Sequence, residues 1–78
     1  MMKQEHTLKI EPHYLKAKLA GDKPFEIRIN DRGYQKGDTV YYWGDSLEGP
    51  AKYQFVITYV TNYRQADDYV VFGERQIT

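Results

Sequence analysis

The sequence predicts a small α+β fold, a mixed or antiparallel β-barrel of about five strands with one short helix after the first strand. Three observations lead there. Strand-type alternation recurs in five short stretches, and helix-type spacing occurs once. With 78 residues the chain has room for one core, burying roughly 60% of the unfolded surface. A single domain is therefore expected over residues 1–78. A split β-α-β arrangement is the lesser alternative, because only one helix is available.

EHTLKI, residues 5–10, alternates with His6, Leu8 and Ile10 on one side. Glu11 and Pro12 end it, and proline is favoured at the first position of a helix. HYLKAKLA then supplies good helix formers, with Leu15 and Leu19 one turn apart and Gly21 as the stop. Two turns of helix are not stable alone, so the side bearing Tyr14, Leu15 and Leu19 is expected to pack on a sheet. PFEIRIN is the clearest strand. Phe25, Ile27 and Ile29 share one face, expected to be the buried one, and Glu26, Arg28 and Asn30 share the other. Pro24 can open this strand because a first residue need not donate to the ladder.

Gly33 and Gly37 mark two turns in succession, with Tyr34 between them. TVYYWG follows as a third strand, DSLEGP as a turn, and YQFVITYVTNY as a long fourth strand. In the last of these Phe55 and Ile57 share one parity while Val56 and Val60 share the other, a change that suggests a bulge or two covered faces. RQADD breaks the pattern, and YVVFGERQI is the final strand.

Eleven Lys and Arg balance eleven Asp and Glu, so net charge gives no long-range attraction to nucleic acid or membrane. Residues 1–39 hold eight cations against six anions, and residues 40–78 three against five, a modest basic bias in the first half. The lack of cysteine excludes disulfides, thiolate metal ligation and a cysteine nucleophile, and points to a reducing compartment. MMKQEHTLKI holds no apolar run of the kind a secretory leader needs, and TVYYWG and FVITYV are too short to span a bilayer. A cytoplasmic protein without membrane association, monomeric or weakly dimeric, is expected.

The first candidate site is Lys23, Glu26 and Arg28. Period-two geometry places Glu26 and Arg28 on one strand face, about 7 Å apart, with Lys23 just upstream. A carboxylate between two cations stays ionised, accepts hydrogen bonds from a base or amide, and fixes the plane of the guanidinium. The same alternation also describes the plain solvent face of a half-buried strand. His6 and His13 are the only imidazoles. They lack the spacing and carboxylate company of a metal pair, so no metal and no cofactor is expected. The apolar parity of His6 favours a hydrogen-bonded packing residue, and its nearness to Lys9 also makes it a candidate phosphate contact. Eight tyrosines can close a thin core while keeping their hydroxyls wet. Tyr34 and Trp43, at turn ends, are candidate stacking platforms for bases.

Gly21, Lys23, Glu26 and Arg28 in GDKPFEIR fit the pattern G-x-K-x-x-E-x-R. Together with HTLKIEPHY, FEIRINDR and the later KGD, the chain from about His6 to Phe72 resembles the ASCH domains of the PUA-like superfamily, in a small phage and bacterial branch of unknown function. The resemblance implies a PUA-like β-barrel whose motif lines a cleft at the helix–strand junction, and binding of RNA or a nucleobase-containing ligand. Lys23 would then neutralise a phosphate, Glu26 accept from a base amino or imino group, and Arg28 orient Glu26 or make a forked contact. Asn30, Asp31 and Arg32 belong to the extended motif of the branch. The expected ligand-binding set is Lys23, Glu26, Arg28, Asn30, Arg32, Tyr34, His6 and Lys9.

Two alternatives stand beside this reading. One branch of similar proteins hydrolyses acylated cytidine with a lysine, a threonine on the following strand and a distant glutamate. Lys23 matches the lysine and would serve as base or proton carrier. Glu26 stands at the threonine position, and Asp67, Asp68 and Glu74 remain open as the distant acid. That departure makes a binding module the preferred expectation over an amide hydrolase acting on a modified nucleoside. The other alternative is a phage accessory protein that binds a protein partner through its tyrosine-rich surface.

Overall fold

Inward-facing residues at every second position assemble the sheet. The computed structural model describes residues 3–43 and 53–77, in the order β1 (Glu5–Lys9), α1 (Pro12–Leu19), β2 (Phe25–Ile29), β3 (Thr39–Trp43), β4 (Tyr53–Thr61) and β5 (Tyr69–Gln76). The strands form one mixed sheet in the order β1-β3-β4-β5-β2. β1 pairs in parallel with β3, and the other neighbours are antiparallel. The sheet curls into a half-barrel with the single short helix after the first strand, as the sequence predicts. The expected turn at DSLEGP, residues 45–50, lies outside the described residues. Among the described residues no helix is long and apolar enough to cross a membrane.

The core draws on Leu8 and Ile10 from the β1 side, Leu15 from α1, Val40 and Tyr42 from β3, Phe55 and Ile57 from β4, and Val70 and Phe72 from β5. Within each strand these are alternate positions, so one face of the sheet is lined throughout. In β4 the register passes from Ile57 opposite Glu74 to Tyr59 opposite Gly73. Thr58 is the extra residue, and this bulge is the physical content of the parity change read in YQFVITYVTNY. A side chain at position 73 would meet the bulge, since a Cβ there would sit 3.2 Å from Thr58 Oγ1.

Two faces differ from expectation. In α1 the inward residues are Leu15 and Lys18, one i, i+3 step apart, while Tyr14 and Leu19 are 46% and 36% exposed. In β2 the charged face is the inner one. Glu26 is buried, whereas Ile27 and Ile29 are 52% and 51% exposed. The exposed residues are not isolated, because Ile27 lies opposite Val71 and Ile29 opposite Tyr69. Such cross-strand apolar pairs stabilise the outer surface of the sheet, which leaves the inner face of β2 to the charges that α1 and β5 can match.

At the far end, the Asp38 carboxylate ties β1 to the turn before β3. It accepts from the Gln4 backbone N–H at 3.1 Å and the Gln35 backbone N–H at 3.0 Å, and pairs with His6 Nε2 at 2.9 Å. Burial alone would raise the Asp38 pKa, but the His6 contact and the two backbone donors outweigh it and hold the carboxyl below its ordinary range.

Candidate ligand cleft at the open seam

The half-barrel is open between its edge strands β1 and β2, and side chains fill that seam. Thr39 N–H donates to Gln4 C=O, and Ile10 N–H to Trp43 C=O. Alternate residues of a strand face its partner, so Thr7 and Lys9 turn their backbone groups to the seam. On the other side Glu74 N–H donates to Pro24 C=O and Asn30 N–H to Asp68 C=O, which turns Phe25, Ile27 and Ile29 the same way. Four cations reach these edge carbonyls, Lys23 Nζ among them at 3.4 Å from Phe25 C=O. Arg28 Nη2 donates to Lys9 C=O at 2.8 Å, Arg32 Nη1 to Thr7 C=O at 3.3 Å, and Lys18 Nζ to Phe25 C=O at 3.1 Å.

Beneath the seam lies a buried charge network. The Lys18 ammonium is fully enclosed and donates to Glu74 Oε2, while Glu26 Oε1 lies 3.0 Å away. With Phe25 C=O this accounts for the three donors of an ammonium. The ring of Tyr42 has its centroid 5.0 Å from Lys18 Nζ, and its hydroxyl donates to Glu74 Oε1 at 2.5 Å. Glu26 is the link to the surface. Its Oε1 also accepts from Lys23 Nζ at 3.0 Å, and its Oε2 from Arg28 Nε at 3.1 Å.

The two carboxyls diverge electrostatically. For Glu26, burial pushes the pKa up, but Lys18 and then Lys23 outweigh it and keep the carboxyl below its ordinary range. For Glu74, burial wins over Lys18 and Tyr42, and the neighbouring Glu26 charge adds to the rise. Two carboxyls sharing one ammonium thus separate into an ionised outer member and an inner one with a raised pKa. Burial and the Glu74 charge push the Tyr42 phenol far up, so it remains a donor.

Over Glu26 opens a cleft of about 400 Å³, walled by Lys9, Tyr14, Lys23, Phe25, Ile27 and Arg28. Lys23 Nζ lies 4.8 Å from the Tyr14 ring centroid and 5.3 Å from that of Phe25, within reach for cation–π attraction. Among the described residues, Glu26 Oε2 accepts a single hydrogen bond. Acceptor capacity therefore remains on that oxygen.

Of the residues expected from sequence, Lys9, Lys23, Glu26 and Arg28 come together in this cleft. Arg32 lies further along the seam. Asn30 is elsewhere, its Oδ1 accepting the Tyr34 backbone N–H at 3.2 Å. His6 and Tyr34 are both buried, His6 as the hydrogen-bonded packing residue its apolar parity describes, and Tyr34 at the wall of a further hollow along the seam. His6 is taken up by Asp38, and the Tyr34 ring packs between His6 and Phe72, with centroids 4.8 and 4.9 Å away. Trp43 is partly exposed, with Lys9 Nζ 5.6 Å from its ring centroid.

Sequence reasoning missed Lys18 and Tyr42 and left Glu74 unplaced. The parities of Val40 with Tyr42, and of Val70 and Phe72 with Glu74, carried a signal, because each runs straight through the core positions of its strand. Lys18 carried only its i, i+3 relation to Leu15.

Residues 5–73 match a family described as a domain of unknown function, DUF3850. The chain belongs to the DUF3850 family. It is 34% identical over 74 residues to a protein of Escherichia phage P2 described as an uncharacterized 12.9 kDa protein in the GpA 3′ region, a match covering 91% of this chain and 68% of the phage protein. The DUF3850 match takes in both sides of the seam and the cleft residues, and ends at Gly73, one residue before Glu74.

Proposed function

We propose that this DUF3850 protein is a PUA-like, ASCH-type binding module that seats RNA or another nucleobase-containing ligand in the cleft over Glu26. The observation that carries the reading is the outer carboxylate itself, held ionised by Lys18 and Lys23 and bonded to Arg28, beside the exposed rings of Tyr14 and Phe25. Phe25 supplies a face on which a base stacks, and Tyr14, packed against His13 and Lys23, supplies a ring edge beside it. The remaining lone pair of Glu26 Oε2 accepts from a base N–H, and Lys23 and Arg28 meet phosphate or carbonyl oxygens. The cleft, at about 400 Å³, falls within the ordinary range for small-ligand sites.

The hydrolase alternative draws less support. A glutamate stands where the similar hydrolases place a threonine, and Lys23 donates its hydrogen bond to that glutamate where a base would have to receive a proton. Titration of the ¹⁵N-labelled chain with nucleosides, nucleotides and short RNAs tests the binding reading. The expected result is shift perturbation at Lys9 and across residues 23–28. No perturbation by any of them at millimolar concentration would overturn it.

A further inference from the structure

We propose that the ligand is a single-stranded oligonucleotide of at least two nucleotides lying along the β1–β2 seam, not a lone nucleoside or mononucleotide; this rests on the binding reading above and extends its site. The cleft over Glu26 does not end the seam. A second hollow of about 280 Å³ follows it, walled by Leu8, Ile29, Asp31, Arg32, Tyr34 and Tyr69. Ile27 and Arg28 line both hollows, so the two are consecutive stretches of one groove with Arg28 at the junction.

Charge and shape along this groove fit an anionic chain with flat side groups. Lys9, Lys23, Arg28 and Arg32 line it against Glu11, Glu26 and Asp31, and Glu26 is already countered from beneath by Lys18. Arg28 commits Nε to Glu26 and Nη2 to Lys9. Its Nη1 group makes no hydrogen bond among the described residues, and Arg28 lines both hollows, so the phosphate linking two nucleotides would fall beside it. Arg32 has a half-exposed side chain, with Asp31 Oδ1 3.9 Å from its Nε, and is the second anion contact. Exposed rings occur at both ends, Tyr14 and Phe25 at one and Tyr69 at the other, with Ile27 and Ile29 exposed between. An acidic peptide would satisfy the arginines but has no use for ring faces in both hollows. A nucleic-acid strand uses both, since backbone-tracking cations and stacking faces are the usual elements of a single-strand groove.

The test titrates the full chain with the four nucleoside 5′-monophosphates, the four RNA homotetramers and hexaglutamate. At least one tetramer is expected to bind roughly tenfold more tightly than its monophosphate, the gain of a further stacked base. It should also shift the amides of Ile29, Asp31, Arg32 and Tyr69, which the monophosphate leaves in place. Its affinity should fall more steeply with salt, by about 0.7 in the logarithmic slope for each added phosphate contact. Arg32→Ala is expected to narrow the advantage of the tetramer. Equal affinities, with shifts confined to the first hollow, would overturn the groove and leave the binding reading standing. Failure of both monophosphates and tetramers would overturn both proposals, as would hexaglutamate binding as tightly as the best tetramer.

Discussion

Lys18 of α1 and Glu74 of β5 meet inside the half-barrel with neither side chain reaching solvent. They are 56 residues apart in the chain, and the contact fastens the helix to the strand farthest from it in sequence. Taking two charges out of water is costly, and the pair repays that only because its remaining hydrogen bonds are made, through Phe25 C=O, Glu26 and Tyr42. Removal of one partner is the damaging change.

Lys18→Met should therefore destabilise the fold by about 3–5 kcal/mol, because Glu74 is left buried without its cation. The double variant Lys18→Met/Glu74→Gln should recover much of the loss. Urea denaturation of the four proteins of the cycle measures this coupling. Additive losses would mean that Lys18 acts through packing and not through Glu74.

The opposite pKa directions of Glu26 and Glu74 predict opposite pH dependences. Glu26 is lowered from its usual 4.5, so its ionisation stabilises the fold above that pH, and this contribution is lost as pH falls through the folded value. Glu74 is raised from the same 4.5. Its contribution is full below that pH and is lost as pH rises through the folded value. Relative to wild type, Glu26→Gln should then worsen as pH rises from about 3 to 7, and Glu74→Gln should improve over the same window. Urea midpoints across that window check both signs.

The Lys23 side chain keeps 22% of its surface exposed, and Glu26 retains Lys18 and Arg28 as partners when Lys23 is removed. Lys23→Ala should cost no more than about 1 kcal/mol while weakening nucleotide binding several-fold. Chromatography after incubation with acylated cytidine should show no turnover above background. Turnover that disappears in Lys23→Ala would favour the hydrolase alternative.

The strands were legible because alternation is a local property: PFEIRIN contains β2, TVYYW is β3 and YVVFGERQI contains β5, and the parity change in β4 marks its bulge. Which face of β2 points inward was not legible. Alternation is symmetric, and the apolar set Phe25, Ile27 and Ile29 is the natural choice for a core until Lys18 is known to lie between Glu26 and Glu74. That relation is tertiary, since it depends on β5 lying beside β2 and on Lys18 of α1 reaching both carboxylates. The motif Lys23, Glu26 and Arg28 was legible as a cluster, but its foundation in Lys18, Glu74 and Tyr42 was not. A helical lysine one residue before a leucine reads as solvent-facing unless its partners are in view.

The inverted face of β2 makes a sharp test of site against scaffold. Ile27 is half-exposed and pairs with Val71 on the outer surface, so Ile27→Ala should cost only about 0.2–1 kcal/mol, the worth of a cross-strand pair. Phe72→Ala, in the core, should cost about 3–5 kcal/mol. Arg28→Ala is expected to behave like neither. Glu26 keeps Lys18 and Lys23 as partners, so the fold survives, but the seam loses its bridge to Lys9 C=O and the cleft its planar donor. Ligand-induced shifts should then vanish at an almost unchanged thermal midpoint. Normal binding by Arg28→Ala would reduce the charged face of β2 to an internal support of the half-barrel.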